Sequence, residues 1–207
     1  MKEHDPIESI LRMDLCSFVE KSFHTLNPKT NYLHNWHIEL IAEKLEKVTR
    51  GEIKRLIINM PPRYLKSICV SVAWPAWILG NQPSARVIVA SHSSNLAVKH
   101  SVDTRKIMQA EWYRKIFPQV KFAADQNEKT KFMTDKLGFR MASSVHSSIT
   151  GEGGNFLIVD DPLTPSAAMS ELERRNVLEW FDQTFSTRLD DKKHGGIVVV
   201  MQRLHED

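Results

Sequence analysis

The sequence predicts an α/β protein with a mostly parallel central sheet and helices on both faces. Three observations carry that reading. Short runs rich in β-branched residues recur at 53–59, 85–90, 156–160 and 197–201. Longer segments between them repeat apolar residues every three to four positions. The strand runs are apolar almost throughout, the pattern of strands covered on both faces, and strand and helix alternate along the chain.

Taken in order, Ile7, Ile10, Leu11, Leu15, Phe18, Val19, Phe23 and Leu26 predict one amphipathic helix ending before Asn27-Pro28. Trp36, Ile38, Ile41, Leu45 and Val48 predict a second, with Gly51 at its C-terminal cap. Two helices over 1–50 thus precede a sheet domain over 51–207. The strand at 53–59 lies between Gly51 and Pro61-Pro62 and reads as buried on both faces. A loop through Pro61-Pro-Arg-Tyr-Leu-Lys-Ser67 opens a helix running to Leu79. Residues 85–90 make a strand, 94–110 a helix, and 131–141 two short strands about Lys136-Leu-Gly138. The strand at 156–160 ends in Asp160-Asp161-Pro162. Ser170 and Glu173 form a capping box that starts a helix to Leu189, and 197–201 is the last strand.

Composition narrows the classes. With 207 residues, 42% hydrophobic and 26% charged, the chain suits one core and excludes a low-complexity or disordered character. A formal charge of +3 permits nucleic-acid binding without requiring it. The longest apolar run, 68–79, is too short for a bilayer span and contains Ser71 and Pro75. No secretory signal is visible, so a cytoplasmic location without membrane contact is expected. Cys16 and Cys69 lack metal or redox spacing and read as buried thiols.

The chemistry gathers at strand ends. A strand, a loop, Lys66-Ser67 and a helix form the layout of a phosphate cradle: helix N–H groups face the anion, Lys66 meets the terminal phosphates and Ser67 reaches Mg²⁺. The glycines of GxxxxGK[ST] would fall at Met60 and Leu65, so the motif is incomplete, and a solvated lysine is the competing reading. Apolar residues leading into Asp160-Asp161 supply the second element, the carboxylates associated with Mg²⁺ and the attacking water. Both elements follow strands, so both can meet at the carboxyl ends of the sheet, where such folds bind ligands. Two aspartates before proline can equally just end a strand. Gln202, after the last strand, could touch the γ-phosphate or its water, or simply belong to a solvated polar end. Thr150-Gly-Glu-Gly-Gly154 could line the same crevice, contact DNA or simply turn the chain.

Several segments in order resemble the N-terminal ATPase domain of the large subunit of the terminase of tailed bacteriophages and prophages. They are Asn35-Trp-His-Ile38, Arg55-Leu-Ile-Ile-Asn-Met-Pro-Pro-Arg63 with Leu65-Lys-Ser67, Ser148-Ile-Thr-Gly151, Phe156-Leu-Ile-Val-Asp-Asp-Pro162, Glu179-Trp-Phe181 and Val200-Met-Gln-Arg-Leu-His-Glu-Asp207. The resemblance implies a P-loop NTPase fold of the RecA-like, ASCE type and an ATPase that drives double-stranded DNA into a procapsid. Its cofactors would be ATP and Mg²⁺, and its partners DNA, the portal protein, the terminase small subunit and further copies in a ring. Arg63 takes the place of an arginine acting on the γ-phosphate, and Lys66 and Ser67 complete a variant Walker A loop. Asp160 and Asp161 map to Walker B, with Asp161 catalytic and Asp160 beside Ser67 at the Mg²⁺. His37 lies in the adenine-contacting segment, and Gln202 in the coupling motif.

Two departures go with it. Leu65 stands where glycine is usual; if that position takes a positive φ, leucine makes nucleotide binding weaker or different. The sequence ends at Asp207, so no nuclease site is assigned, and a truncated prophage remnant that binds without turnover is the alternative reading. His34 and His37 are expected to be hydrogen-bonded or adenine-adjacent, with no zinc site. Lys99, Arg105, Lys106, Arg114, Lys115, Arg174 and Arg175 are candidate contacts to DNA phosphates, or a solvated face.

Overall fold

The computed structural model describes residues 6–147, 149 and 151–205. Ser148, Thr150, Glu206 and Asp207, which belong to segments singled out above, lie outside the described residues.

The N-terminal periodicity holds but its helix is broken. α1 (Pro6–Met13) and α2 (Leu15–Leu26) part at Asp14, whose carboxylate caps the second by accepting from Ser17 N–H at 2.7 Å. α3 (Trp36–Thr49) follows, and Gly51 just beyond it takes φ 77, so three helices precede the sheet where two were expected. β1 (Arg55–Asn59) leads through the loop to a wide helical turn, 68–73, in which Trp74 N–H donates to Cys69 O five residues back. That π turn runs on into α4 (Trp74–Asn81), which accepts Pro75 in its first turn.

β2 (Arg86–Ser91) and α5 (Ser94–Gln109) fall where the pattern put them. α6 (Glu111–Ile116) and β3 (Phe122–Asn127) were not foreseen, because the first is barely two turns long and the second is polar over Asp125-Gln126-Asn127. β4 (Lys131–Thr134) and β5 (Phe139–Ser144) are the two short strands about Gly138. A Cβ on Gly138 would collide with the carbonyls of Pro83 and Ala85, so this turn can pass the β2 approach only as glycine. β6 (Phe156–Asp160), a short α7 (Pro165–Ala168), α8 (Glu171–Trp180) and β7 (Gly196–Met201) complete the chain. Ser170 Oγ does accept from Glu173 N–H, but α8 gives way to a wide turn at Phe181–Phe185 and a tight one at Ser186–Arg188, short of the predicted uniform helix to Leu189.

The seven strands lie in the order β1-β7-β6-β2-β5-β4-β3, with β1 through β5 in that order parallel and β4 and β3 antiparallel at the far edge. β1 is therefore an edge strand. Its exposure alternates and Ile57 is 68% exposed, which corrects the expectation of burial on both faces. An apolar run of five residues does not distinguish a central strand from an edge strand with one open face.

One sheet face carries the larger core. α1 to α5 pack there, with Phe18, Trp74, Tyr113 and Phe117 almost fully buried and Val198 and Val200 of β7 beneath them. Two of its large polar side chains are paired, Tyr113 OH donating to Ala76 O and Trp74 Nε1 to Thr49 Oγ1, whereas Trp77 Nε1 is buried without a hydrogen-bond partner. The opposite face is covered by α8 and its wide turn, over Ile88, Leu157 and Ile197. Toward β1 this cover stops, leaving an apolar groove of about 590 Å³ between Ile57, Val199 and Phe181. Among the described residues, no helix is long and apolar enough to cross a membrane.

Candidate nucleotide site

β1, β7, β6 and β2 run parallel, so their carboxyl ends bring the loop at 60–67, Asp160-Asp161, Gln202 and His92 to one edge of the sheet. Met60 N–H donates to Met201 O, and Asp161 N–H to Val200 O, fixing the loop and β6 against β7. The backbone here is strained: Arg63 takes φ 69, Leu65 φ 61 and Asp161 φ 44, each costing a non-glycine residue roughly 1–2 kcal/mol. Leu65 thus meets the condition under which leucine at this position matters.

Lys66 is 4% exposed, and its Nζ lies 2.9 Å from Asp161 Oδ2. The other Asp161 oxygen accepts from Gln202 N–H at 3.2 Å, so one carboxylate bridges the loop and the end of β7. It is the Gln202 backbone, not its side-chain amide, that makes this contact. The Asp161 carbonyl is held in turn by His92, through its N–H at 3.2 Å and Nδ1 at 2.9 Å, which places the ring proton on Nδ1.

Asp160 lies deeper, with no exposed surface. Ser67 Oγ donates to its Oδ1 at 3.1 Å and Ser71 Oγ to its Oδ2 at 2.6 Å; His100 Nδ1 stands 3.5 Å from that second oxygen. Ser91 Oγ donates to its carbonyl at 2.7 Å. Burial pushes the Asp160 carboxyl up to about 6, opposed by the hydrogen bond from Ser71. Burial drives His100 down to about 4, helped by the charge of Arg140, and takes fully buried Arg140 down to about 9, opposed by Asp160. At neutral pH the interior therefore holds an anion, a neutral imidazole and a cation in sequence.

The fold brings the predicted residues together in two adjoining sets, Lys66 and the Gln202 backbone on Asp161, and Ser67 on Asp160. Arg63 is not part of that cluster: it is exposed and makes no hydrogen bond or ion pair with another described residue. His37 joins the loop from the side, 8% exposed, with its ring centroid 5.6 Å from that of Tyr64 and its Nε2 without a hydrogen-bond partner. Trp36 beside it is 69% exposed. Ser71, His92, His100 and Arg140 were missed by the sequence reading. Only Arg140, a charge set inside the run Phe139-Arg-Met-Ala142, carried a visible signal.

Several earlier candidates lie elsewhere. Glu152 pairs with Lys131 at 2.6 Å on β4. Lys99 and Lys106 both pair with Asp103, Lys115 with Glu8, and Arg105 holds the Asn127 carbonyl. His34 lies 2.6 Å from Glu39.

Among the described residues, no group of three or more His, Cys, Asp or Glu side chains could hold a metal ion. Ser67 Oγ and Asp160 Oδ1 offer two oxygens, which fits Mg²⁺: that ion commonly takes few protein ligands and completes its octahedron with phosphate oxygens and water.

The fold matches solved structures of phage large terminases. The large terminase of bacteriophage HK97 superposes with a TM-score of 0.62 at 11% identity, over 92% of this chain and 37% of that one. An arginine-to-alanine mutant of the Thermus phage P74-26 large terminase ATPase domain superposes with a TM-score of 0.54 at 12% identity, over 89% of this chain and 70% of that one. The chain thus spans little more than a third of the HK97 protein. No family model and no curated protein sequence matches it. At such identities the likeness establishes the fold: a seven-stranded, mostly parallel α/β sheet of the large-terminase ATPase kind.

Proposed function

We propose that the chain binds Mg²⁺-ATP at the carboxyl edge of its sheet and hydrolyses it as the ATPase unit of a DNA-packaging motor. The observation that carries this reading is the convergence of Lys66, Ser67, Asp160 and Asp161 on one point of a large-terminase ATPase fold. The N–H groups opening the turn at 68–73 and the Lys66 ammonium hold the terminal phosphates. To do so Lys66 exchanges the Asp161 carboxylate, 2.9 Å from its Nζ, for phosphate oxygens. Freed, Asp161 orients the attacking water and accepts its proton. Ser67 and Asp160 hold Mg²⁺, which when bound neutralises charge developing on the phosphoryl oxygens. His37 and Tyr64 flank the base. Arg63 sits at the loop's exposed crest, from which its side chain swings onto the γ-phosphate. Because Gln202 N–H bonds Asp161, release of that carboxylate reaches the end of β7, the route by which hydrolysis moves a surface that grips double-stranded DNA. The portal protein, the small subunit and a ring of copies complete the proposed motor, in the cytoplasm of the bacterial host.

Leu65 at φ 61 favours a second reading, a prophage remnant that binds nucleotide without turning it over. Calorimetric titration of Mg²⁺-ATP and ADP into the chain and its Lys66→Ala variant tests the proposal first. Micromolar binding that falls tenfold or more in the variant, about 1.4 kcal/mol, supports it. No binding to the folded parent rejects it. Binding with no DNA-stimulated hydrolysis selects the remnant.

A further inference from the structure

The nucleotide site leaves one costly side chain unused. Arg140, on β5, is separated from β6 and Asp160 by β2, and is fully buried. A guanidinium has five N–H donors, yet here Nη2 donates to Ser71 O at 3.4 Å, Nη1 to Ala97 O at 3.5 Å, and Nε has no partner. Packing alone does not account for it, since an apolar side chain of similar volume in place of a buried ion is often neutral or stabilising.

Its two acceptors show where it acts. Ser71 belongs to the π turn at 68–73, whose widened geometry is the local irregularity often found at functional sites. Carbonyls of that turn are held from outside: Ser71 O by Arg140, and Val72 O by Thr104 Oγ1 at 3.2 Å. The hydroxyl of the same Ser71 donates to Asp160 Oδ2, while Ser67, four residues earlier, donates to Oδ1. Ala97 lies three residues before His100 on α5, and His100 faces that same Oδ2. Both ends of the Arg140 fork therefore lead to the Asp160 carboxylate, one through Ser71 itself and the other through His100, one turn beyond Ala97.

We propose that Arg140 is a positioning residue of the nucleotide site: by pinning the carbonyls of Ser71 and Ala97 it fixes the π turn, and with it the two serine hydroxyls that aim Asp160 at a Mg²⁺-nucleotide. It touches neither metal nor nucleotide. The inference rests on the nucleotide reading above and assigns the geometry of that site to a strand outside the crevice.

The test uses the whole chain with Arg140→Met, Arg140→Lys, Ser71→Ala and the double variant Arg140→Met/Ser71→Ala. The first readout is amide hydrogen exchange of residues 68–73 without nucleotide. Arg140→Met raises it at least tenfold and Arg140→Lys restores most of the protection. The second is the gain in ADP affinity on adding Mg²⁺ in place of EDTA. Arg140→Met and Ser71→Ala each reduce that gain at least tenfold, and the double variant loses clearly less than the sum of the two, because Arg140 acts in part through the Ser71 hydroxyl. A folded Arg140→Met with unchanged exchange and an unchanged Mg²⁺ gain overturns the proposal, as do fully additive losses. If Arg140→Met does not fold, Arg140→Lys with Ser71→Ala decides by the same two readouts. A parent that binds no ADP under either condition defeats the nucleotide reading, and exchange of 68–73 then judges Arg140 by itself, with unchanged exchange overturning its role.

Discussion

Leu65 and Leu137 share a side chain and a left-handed backbone, at φ 61 and φ 64, but they sit in very different regions. Leu137 is 74% exposed in the turn between β4 and β5, where Leu137 N–H donates to Thr134 O and Thr134 N–H to Gly138 O. Leu137 itself bonds within five residues of chain, while its neighbours Thr134 and Asp135 reach Pro83 O and Lys121 O. Leu65 is half-buried against the main core, in a loop held by partners far away in sequence: Met201 through Met60, and Asp161 through Lys66. In the turn, strain is a local cost of reversing direction. In the loop it is imposed by the convergence of strands β1, β6 and β7, and it accompanies buried charge. Strain sustained from a distance lies at the sheet end that carries the candidate site.

Substitutions can sharpen or break that contrast. On the proposed function the largest effect is expected for Asp161→Asn, which removes the carboxylate that pairs with Lys66 and that the proposal assigns to the attacking water. ATP turnover falls by about 10²–10⁴-fold, while equilibrium affinity for ADP rises, since the nucleotide no longer competes for Lys66. A variant with reduced ADP affinity, measured by calorimetry, would show that the Lys66 and Asp161 pair supports the loop instead of blocking it.

The buried groups give a pH signature that the turn lacks. Asp160 titrates at about 6 when folded against an ordinary 3.8, so between those values the folded state holds more protons and acidification favours folding. His100 titrates at about 4 against an ordinary 6.5, so in its window the unfolded state holds more protons and acidification opposes folding. These contributions nearly offset one another from pH 6.5 to 4. Asp160→Asn removes the first, and urea unfolding is expected to show stability falling by about 3 kcal/mol over that range, on a profile otherwise nearly level. His100→Gln should tilt the profile the other way. Two parallel profiles would mean that neither group is as desolvated as its position indicates.

The matched pair of leucine substitutions probes the contrast directly. Leu65→Gly relieves the left-handed strain but removes half-buried packing, so stability changes by less than about 1 kcal/mol. Nucleotide affinity should rise severalfold as the backbone approaches phosphate. Leu137→Gly loses no packing and should stabilise by about 0.5–1 kcal/mol, the strain relieved less the added freedom of the unfolded glycine, with nucleotide binding unchanged. Equal effects of the two on binding would sink the distinction between the regions.

Much of this architecture was legible in the amino-acid order. The apolar runs at 85–90, 156–160 and 197–201 became β2, β6 and β7, because a strand covered on both faces has nowhere to put polar residues. Lys66, Ser67, Asp160 and Asp161 stood out because each follows a strand, and parallel strands carry their carboxyl ends to one edge. Other features had little or no sequence signature. The exposed face of β1 follows from its place at the sheet edge, which residues 53–59 do not encode. The division of the first helix at Asp14 required weighing a cap against an unbroken periodicity. The clamp of Ser71, His100 and Arg140 around Asp160 joins residues on α5, β5, β6 and the π turn, and only packing sets them side by side. The sequence by itself thus determined most of the strands and helices and the candidate loop at 60–67, since those depend on local patterning. The tertiary structure decided which charges lose their water and which partners they then face. Burial and long-range contact set that electrostatic order, and neither can be read from neighbours along the chain.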